Sequence, residues 1–263
     1  MGQDAGNGAA APKREGLTAR PRLGQHFLIK GSLLERIAAA ACPTEEPLVI
    51  EIGPGRGALT ERLLRRAARV TAIELDAMLV EHLRAKFAAE DRLTVIHDDV
   101  LSVDLEQWGP APIVGNLPYY ITSPILDKVS RLQFPRAVFL VQKEVAERLA
   151  AQPGGRDYGF LTVEIAVRAE VKRLFTVKPS AFHPPPKVDS AVVLLQPRPL
   201  PEGIGDPEAF LRFVAHCFRH KRKTIRNNLA GIAGVDAWPE AGLRAEQISL
   251  AGFVEMYRRS TPG

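Results

Sequence analysis

A short β-branched run, Leu48-Val49-Ile50-Glu51-Ile52, leads directly into Gly53-Pro54-Gly55-Arg56-Gly57, and Ala58 to Arg66 then has helical spacing. Strand, glycine loop and helix in immediate succession constrain the fold more than any other stretch. Glycines let the backbone turn tightly and come close to a ligand, while a helix N-terminus offers free N–H groups. Gly53, Gly55 and Ala58 also satisfy the dinucleotide fingerprint G-x-G-x-x-A, so the loop alone points to some nucleotide-like cofactor without choosing one.

A second strand, Val70 to Leu75, delivers Glu74 at its carboxyl end, about twenty positions past the first glycine, the spacing for a ribose-binding acid. A carboxylate there can accept both ribose hydroxyls. A helix over Ala77 to Ala89 and a strand over Leu93 to His97 follow, ending in Asp98-Asp99-Val100. Asp99 is the favoured acceptor for an adenine exocyclic amine, although paired aspartates in a loop equally suit helix caps.

The fourth apolar run (Ala111, Ile113, Val114) ends in Asn116-Leu117-Pro118-Tyr119-Tyr120, at the kind of strand end where open α/β sheets place ligands. Proline removes a donor and biases Leu117 towards an extended conformation. The Asn116 side-chain oxygen and the Leu117 carbonyl can then project together beside a flat ring, an arrangement suited to a planar amine. An ordinary strand-to-helix turn is the competing reading, since Asn, Pro and Tyr are all common in turns.

Around this centre, Ser32-Leu33-Leu34-Glu35 has capping-box spacing and predicts a helix through Ala41 that Cys42-Pro43 ends. Thr122-Ser123-Pro124 opens a helix, Ala137 to Val141 is a strand, Lys143 to Ala150 is helical, and Leu161 to Val171 and Ser190 to Leu195 read as strands. Alternating strands and helices predict a parallel doubly wound sheet to about Pro197. Between the last two strands, the three prolines of Phe182-His183-Pro184-Pro185-Pro186 hold an extended segment, with Phe182 as a stacking wall or a core residue.

Arg198 to Gly203 is a proline-rich boundary, beyond which only helical patterns occur: Pro207 to Cys217, Lys223 to Ala230 and Leu250 to Arg259. Arg219 to Arg226 holds five Lys or Arg residues and no acid, with Asn227 and Asn228 adding polar reach. Such a run suits RNA phosphate as well as a solvated face. The net charge of +5 agrees with nucleic acid or simply with solubility. The two cysteines lie far apart, which argues against a disulfide framework, and no metal-spaced cluster occurs. Met1 to about Arg20 reads as a flexible tail with neither a signal peptide nor a membrane span following, so the cytoplasm is the default location.

Five blocks in order carry a resemblance: Gly-Gln-His-Phe-Leu (24 to 28), Glu-Ile-Gly-Pro-Gly-Arg-Gly-Ala-Leu-Thr (51 to 60), Asn-Leu-Pro-Tyr-Tyr-Ile-Thr-Ser-Pro (116 to 124), Val-Gln-Lys-Glu-Val-Ala-Glu-Arg-Leu (141 to 149) and Phe-His-Pro-Pro-Pro-Lys-Val-Asp-Ser (182 to 190). The chain resembles the small-subunit ribosomal RNA adenine N6-dimethyltransferases, the KsgA/RsmA family. The resemblance implies a Rossmann-like S-adenosylmethionine-dependent methyltransferase domain (21–198), mostly parallel and doubly wound, with a small all-helical RNA-binding domain (204–263). It implies a cofactor site of His26, Leu28, Gly53, Glu74, Asp99 and Asn116, with Gly55, Leu75 and Val100 beside them, and no metal. Catalysis falls to Asn116, Leu117, Pro118 and Tyr119. Tyr119, Phe182, Arg219, Lys221, Arg222, Lys223 and Arg226 would meet the substrate. The implied reaction is dimethylation of two adjacent adenosines near the 3′ end of small-subunit rRNA, by a monomer acting on a pre-30S-like particle.

Three rivals stay open. A large-subunit rRNA methyltransferase of the erythromycin-resistance type shares the glycine loop and the Asn-x-Pro-Tyr pattern. A nicotinamide dehydrogenase fits the loop and Glu74 but gives Asn116 to Tyr119 no role. An assembly factor with secondary catalysis is the third.

Overall fold

The computed structural model of the protein describes residues 26–260. The tail to Arg20, its neighbour Arg22 and Gly24-Gln25 lie outside the described residues. In chain order the elements are β1 (Phe27–Leu28), α1 (Gly31–Ala41), β2 (Val49–Ile52), α2 (Thr60–Leu63), β3 (Val70–Glu74), α3 (Ala77–Lys86), β4 (Leu93–His97), β5 (Ile113–Asn116), α4 (Thr122–Ser130), β6 (Ala137–Gln142), α5 (Lys143–Leu149), α6 (Phe160–Ala166), β7 (Ala169–Val177), β8 (Phe182–His183), β9 (Ser190–Pro197), α7 (Pro207–Phe218), α8 (Ile225–Asn228) and α9 (Leu250–Ser260).

Seven strands form one sheet in the order β4-β3-β2-β5-β6-β9-β7. Strands β2 to β6 pair in parallel, and every residue of β2 and β3 is buried, as expected of strands covered on both faces. The chain runs outward from β2 through β3 to β4, then crosses back to β5 on the other side. The crevice between the carboxyl ends of β2 and β5 is therefore the topological switch point, where such sheets bind ligands. Gly115 permits the close approach of these strands, since a Cβ there would lie 2.4 Å from the Ile52 carbonyl oxygen.

The sheet is not parallel throughout. Strand β9 runs antiparallel to both β6 and β7, which periodicity cannot reveal. The expected strand over 161–171 is helix α6 followed by the start of β7. Its apolar residues alternate because the helix is covered on two sides: Leu161 and Ile165 join the cluster under the sheet, while Val163 and Val167 join the helical cluster with Phe210 and Phe253. Each pair is spaced i, i+4, so both faces are helical.

The expected capping box also fails. Lys30 occupies the N-cap of α1 without a side-chain bond, and Glu35 is drawn off to Arg66 at 2.5 Å. Helix α2 is one turn, far shorter than 58–66, because turns occupy both flanks. Helix α4 begins at Thr122, but its hydroxyl donates to the Pro118 carbonyl instead of capping. Helix α7 is better prepared: Asp206 accepts from the Glu208 and Ala209 amides, and Pro207 follows it.

Candidate active site

Two hollows open over the switch point and share Gly53 and Pro118. The first is lined by His26, Leu28, Glu51, Gly55, Asn116, Leu117 and Tyr119. The second is lined by Glu74, Leu75, Asp99, Val100 and Tyr120. Each expected cofactor residue thus lies at one of two adjoining cavities. Gly53 and Gly55 turn between them with φ of 66° and 57°, a region that side chains disfavour. A Cβ on Gly55 would also stand 2.9 Å from the Phe27 ring.

The segment from His26 to Ile29 crosses the first hollow as a strap. Strand β1 pairs with β8, placing Phe27 opposite His183 and Leu28 opposite Phe182, and the His26 ring donates to the Pro184 carbonyl at 2.8 Å. The Asn116 side chain completes the tie by donating to the His26 carbonyl at 2.8 Å. A carbonyl can only accept, so the NH2 group faces His26 and Oδ1 is left as an acceptor. No hydrogen bond among the described residues reaches the Leu117 carbonyl, whereas its N–H donates to Leu140. Two acceptors are therefore uncommitted on consecutive residues at the edge of the crevice.

Tyr119 is half-buried, and its hydroxyl lies 2.7 Å from the buried Ser190 hydroxyl. Burial raises its pKa, so the phenol stays neutral; its ring lies 5.7 Å from the His26 ring, in the same lining as Asn116. Glu74 is buried and accepts from three backbone amides, those of Gly55, Leu75 and Asp76, at 3.1, 3.0 and 3.0 Å. A carboxylate offers about four acceptor positions, so these three bonds leave roughly one uncommitted. Burial raises the Glu74 pKa, and these donors pull against it. At Asp99, one oxygen caps the following turn through the Leu101 amide at 2.9 Å. Its second oxygen makes no hydrogen bond among the described residues.

Glu51 escapes a reading based on spacing. It is 1% exposed, forms part of the floor of the first hollow, and accepts from the Thr60 hydroxyl at 2.6 Å. Burial, with the nearby Glu74 charge adding to it, pushes its carboxyl up to about 8. An acid inside an apolar strand immediately before the glycine loop is the signal that could have found it. Tyr120, which spacing does not single out, also lines the second hollow.

Phe182 is corrected. It is 3% exposed, belongs to the cluster with Leu28, Ile37 and Val177, and lines neither hollow, so it forms no stacking wall in this arrangement. Arg219, Lys221, Arg222, Lys223 and Arg226 are exposed and distinct from the crevice lining. Arg226 pairs with Asp236 at 2.9 Å, and the other four form no ion pair among the described residues. Asn228 does not reach outward: its amide is spent on His220 and Lys223 within the same turn. No cluster of His, Cys, Asp or Glu suited to a metal occurs among the described residues.

A sheet wound in this order, holding two adjoining hollows and paired acceptors over its switch point, defines a Rossmann-like methyltransferase. Comparison with known proteins narrows the class. The model of the family described as "Ribosomal RNA adenine dimethylase" matches residues 16–246. Over 255 residues the chain is 45% identical to the ribosomal RNA small subunit methyltransferase A of Acidobacterium capsulatum, covering 91% of this chain and 90% of that one. A dimethyladenosine transferase from Plasmodium falciparum shares the fold, with a TM-score of 0.74, 24% identity and coverage of 89% and 98%. The 23S rRNA methyltransferase ErmE is similar too, with a TM-score of 0.67, 31% identity and coverage of 87% and 98%. The chain belongs to the ribosomal RNA adenine dimethylase family.

Proposed function

We propose that this protein transfers methyl groups from S-adenosylmethionine to N6 of two adjacent adenosines near the 3′ end of small-subunit rRNA, giving N6,N6-dimethyladenosines during small-subunit biogenesis. The observation that carries the proposal is the fixed Asn116 amide, which leaves Oδ1 and the Leu117 carbonyl as acceptors at the crevice. The likeness to small-subunit methyltransferases supports the choice of RNA.

The residues fit the cofactor. Gly55 leaves space where a side chain would meet the Phe27 ring, Gly53 and Gly55 both take the positive φ that a side chain disfavours, Glu74 and Asp99 each keep an acceptor for a nucleoside, and the buried Glu51 carboxyl, with the Thr60 hydroxyl as its partner at the floor of the crevice, would be drawn towards its ionised form by a cationic group. When bound, S-adenosylmethionine supplies an electrophilic methyl and its own leaving group. The protein's task is to prepare the amine. An adenine N6 lone pair is delocalised into the ring, and acceptors drawing on both its hydrogens favour the pyramidal geometry that attack requires. Asn116 Oδ1 and the Leu117 carbonyl perform that role, and Tyr119 stacks on the base once it leaves its helix or loop. Each transfer would form an N6–CH3 bond as the sulfonium's S–CH3 bond breaks, and the methylated nitrogen would then lose one proton to water; after the first transfer one hydrogen remains for one acceptor, which permits the second.

We assign residues 21–198 to catalysis and 204–263 to RNA binding, and propose a cytoplasmic monomer acting on a pre-30S-like particle. Among the described residues no helix is long and apolar enough to cross a membrane. The test is to incubate the protein and labelled cofactor with unmethylated small and large subunits in parallel and map dimethyladenosine. Paired dimethyladenosines in the small subunit are expected; label confined to the large subunit would reverse the choice of substrate.

A further inference from the structure

Tyr119 and Tyr120 are consecutive, yet they serve different cavities. Both lie in a single 3-10 turn, Tyr119–Ile121, where successive side chains are about 120° apart. Tyr119 lines the hollow with His26 and Asn116, and Tyr120 lines the one with Glu74, Asp99 and Val100. Their tethers differ as well. The Tyr119 hydroxyl is tied to Ser190, whereas the Tyr120 hydroxyl makes no hydrogen bond among the described residues and the residue is 56% exposed.

The second hollow has the chemistry of a nucleoside site. Its polar side chains are carboxylates, with no lysine or arginine in its lining, so it favours a ligand rich in donors and without phosphate. An adenosine offers an exocyclic amine and two ribose hydroxyls. Leu75, 47% exposed, and Val100 supply apolar surface in the same lining. The Tyr120 phenol is also close enough to Asp99 and Glu74 for their charges to raise its pKa, after burial as the first cause, so it stays a neutral aromatic face.

We propose that Tyr120 is a wall of the cofactor's nucleoside pocket, its ring packing against the adenosine that Glu74 and Asp99 address, while Tyr119 serves the target base. This rests on the methyltransferase reading of the crevice. Calorimetry with S-adenosylhomocysteine and with 5′-methylthioadenosine, which lacks the amino-acid portion, tests it on the full chain. Tyr120→Ala should weaken both ligands to the same degree, by about three- to tenfold, the range for one aromatic contact. Tyr120→Phe keeps the ring and should bind both as the unaltered protein does. Thermal melting checks that the variants fold. Unchanged affinities in Tyr120→Ala would overturn the inference, as would a loss confined to S-adenosylhomocysteine, which would move Tyr120 to the methionine end. A loss of rRNA binding alone would place Tyr120 on the RNA surface, also overturning it. Failure of the unaltered protein to bind either ligand would overturn the cofactor assignment itself, and this inference with it.

Discussion

The Asn116 side-chain amide donates to the main-chain carbonyl of His26 at 2.8 Å, joining residues 90 positions apart. One bond thereby orients the proposed catalytic oxygen and anchors the strap over the first hollow. Asn116→Ala removes the oxygen, and methyl transfer should fall by about a hundred- to a thousandfold, the scale for removing one transition-state hydrogen bond. S-adenosylhomocysteine should still bind within a few-fold. Asn116→Asp sets a carboxylate oxygen against the His26 carbonyl, so it should weaken cofactor binding as well as transfer. Single-turnover assays and calorimetry separate the two effects. Undiminished dimethyladenosine production by Asn116→Ala would sink the assignment.

Glu74 ties the end of β3 to the glycine loop through the Gly55 amide and to its own turn through the Leu75 and Asp76 amides. Glu74→Gln keeps the shape but turns an NH2 group towards one of these donors. A buried donor left unpaired costs about 1–3 kcal/mol, and a hydrogen bond to a charged group is worth a similar amount. The variant should melt at a lower temperature and bind S-adenosylhomocysteine about ten- to a hundredfold more weakly. Unchanged melting and affinity together would refute the dual role.

The buried Glu51 carboxyl gives a stability term of unusual sign. An ordinary glutamate loses its proton near 4.5, whereas burial holds this one protonated to about 8. Between those values the unfolded chain binds fewer protons than the folded one, so stability falls as pH rises and levels off above about 8. The steepest slope for one group is about 1.4 kcal/mol per pH unit. Glu51→Gln keeps an acceptor for the Thr60 hydroxyl and never ionises. Denaturation of both proteins from pH 5 to 9 should show the variant gaining relative stability up to about pH 8 and not beyond. Parallel curves across the range would mean that Glu51 ionises normally in the fold.

The parallel strands β2 to β6 were legible because buried strands of this kind are written as apolar runs with glycine or polar residues at their ends, as at Val49–Ile52 and Ile113–Asn116. Helix α6 was not, since burial on two faces gives it the alternation of a strand. The two-residue pair β1 and β8 is too short for any periodicity, yet it positions His26 and removes Phe182 from the surface. In the site, residue types and spacing pointed to Asn116 and Glu74. What spacing could not express was sharing: Glu74 and Asp99 spend part of their acceptor capacity on the backbone, and only folded geometry shows how much is left.

The basic turn between α7 and α8 allows charge to be separated from placement. Arg219, Lys221, Arg222 and Lys223 carry four cations without ion-pair partners among the described residues, while Asp236 partly neutralises Arg226. The Asn228 side chain holds the turn by accepting from the His220 amide at 3.0 Å and donating to the His220 and Lys223 carbonyls at 3.3 Å. Every phosphate that the protein no longer neutralises should reduce the slope of log affinity against log salt by about 0.7 to 0.9. Replacing Lys221, Arg222 and Lys223 by Gln should therefore weaken rRNA binding and flatten that slope by roughly two units or more. Arg226→Gln should do less, because its charge is already partly spent. Asn228→Ala leaves every cation in place and loosens their arrangement, so affinity should fall while the slope stays near that of the unaltered protein. Binding of a small-subunit rRNA fragment across a salt series measures both quantities. An unchanged slope in the triple variant would remove this turn from the RNA interface.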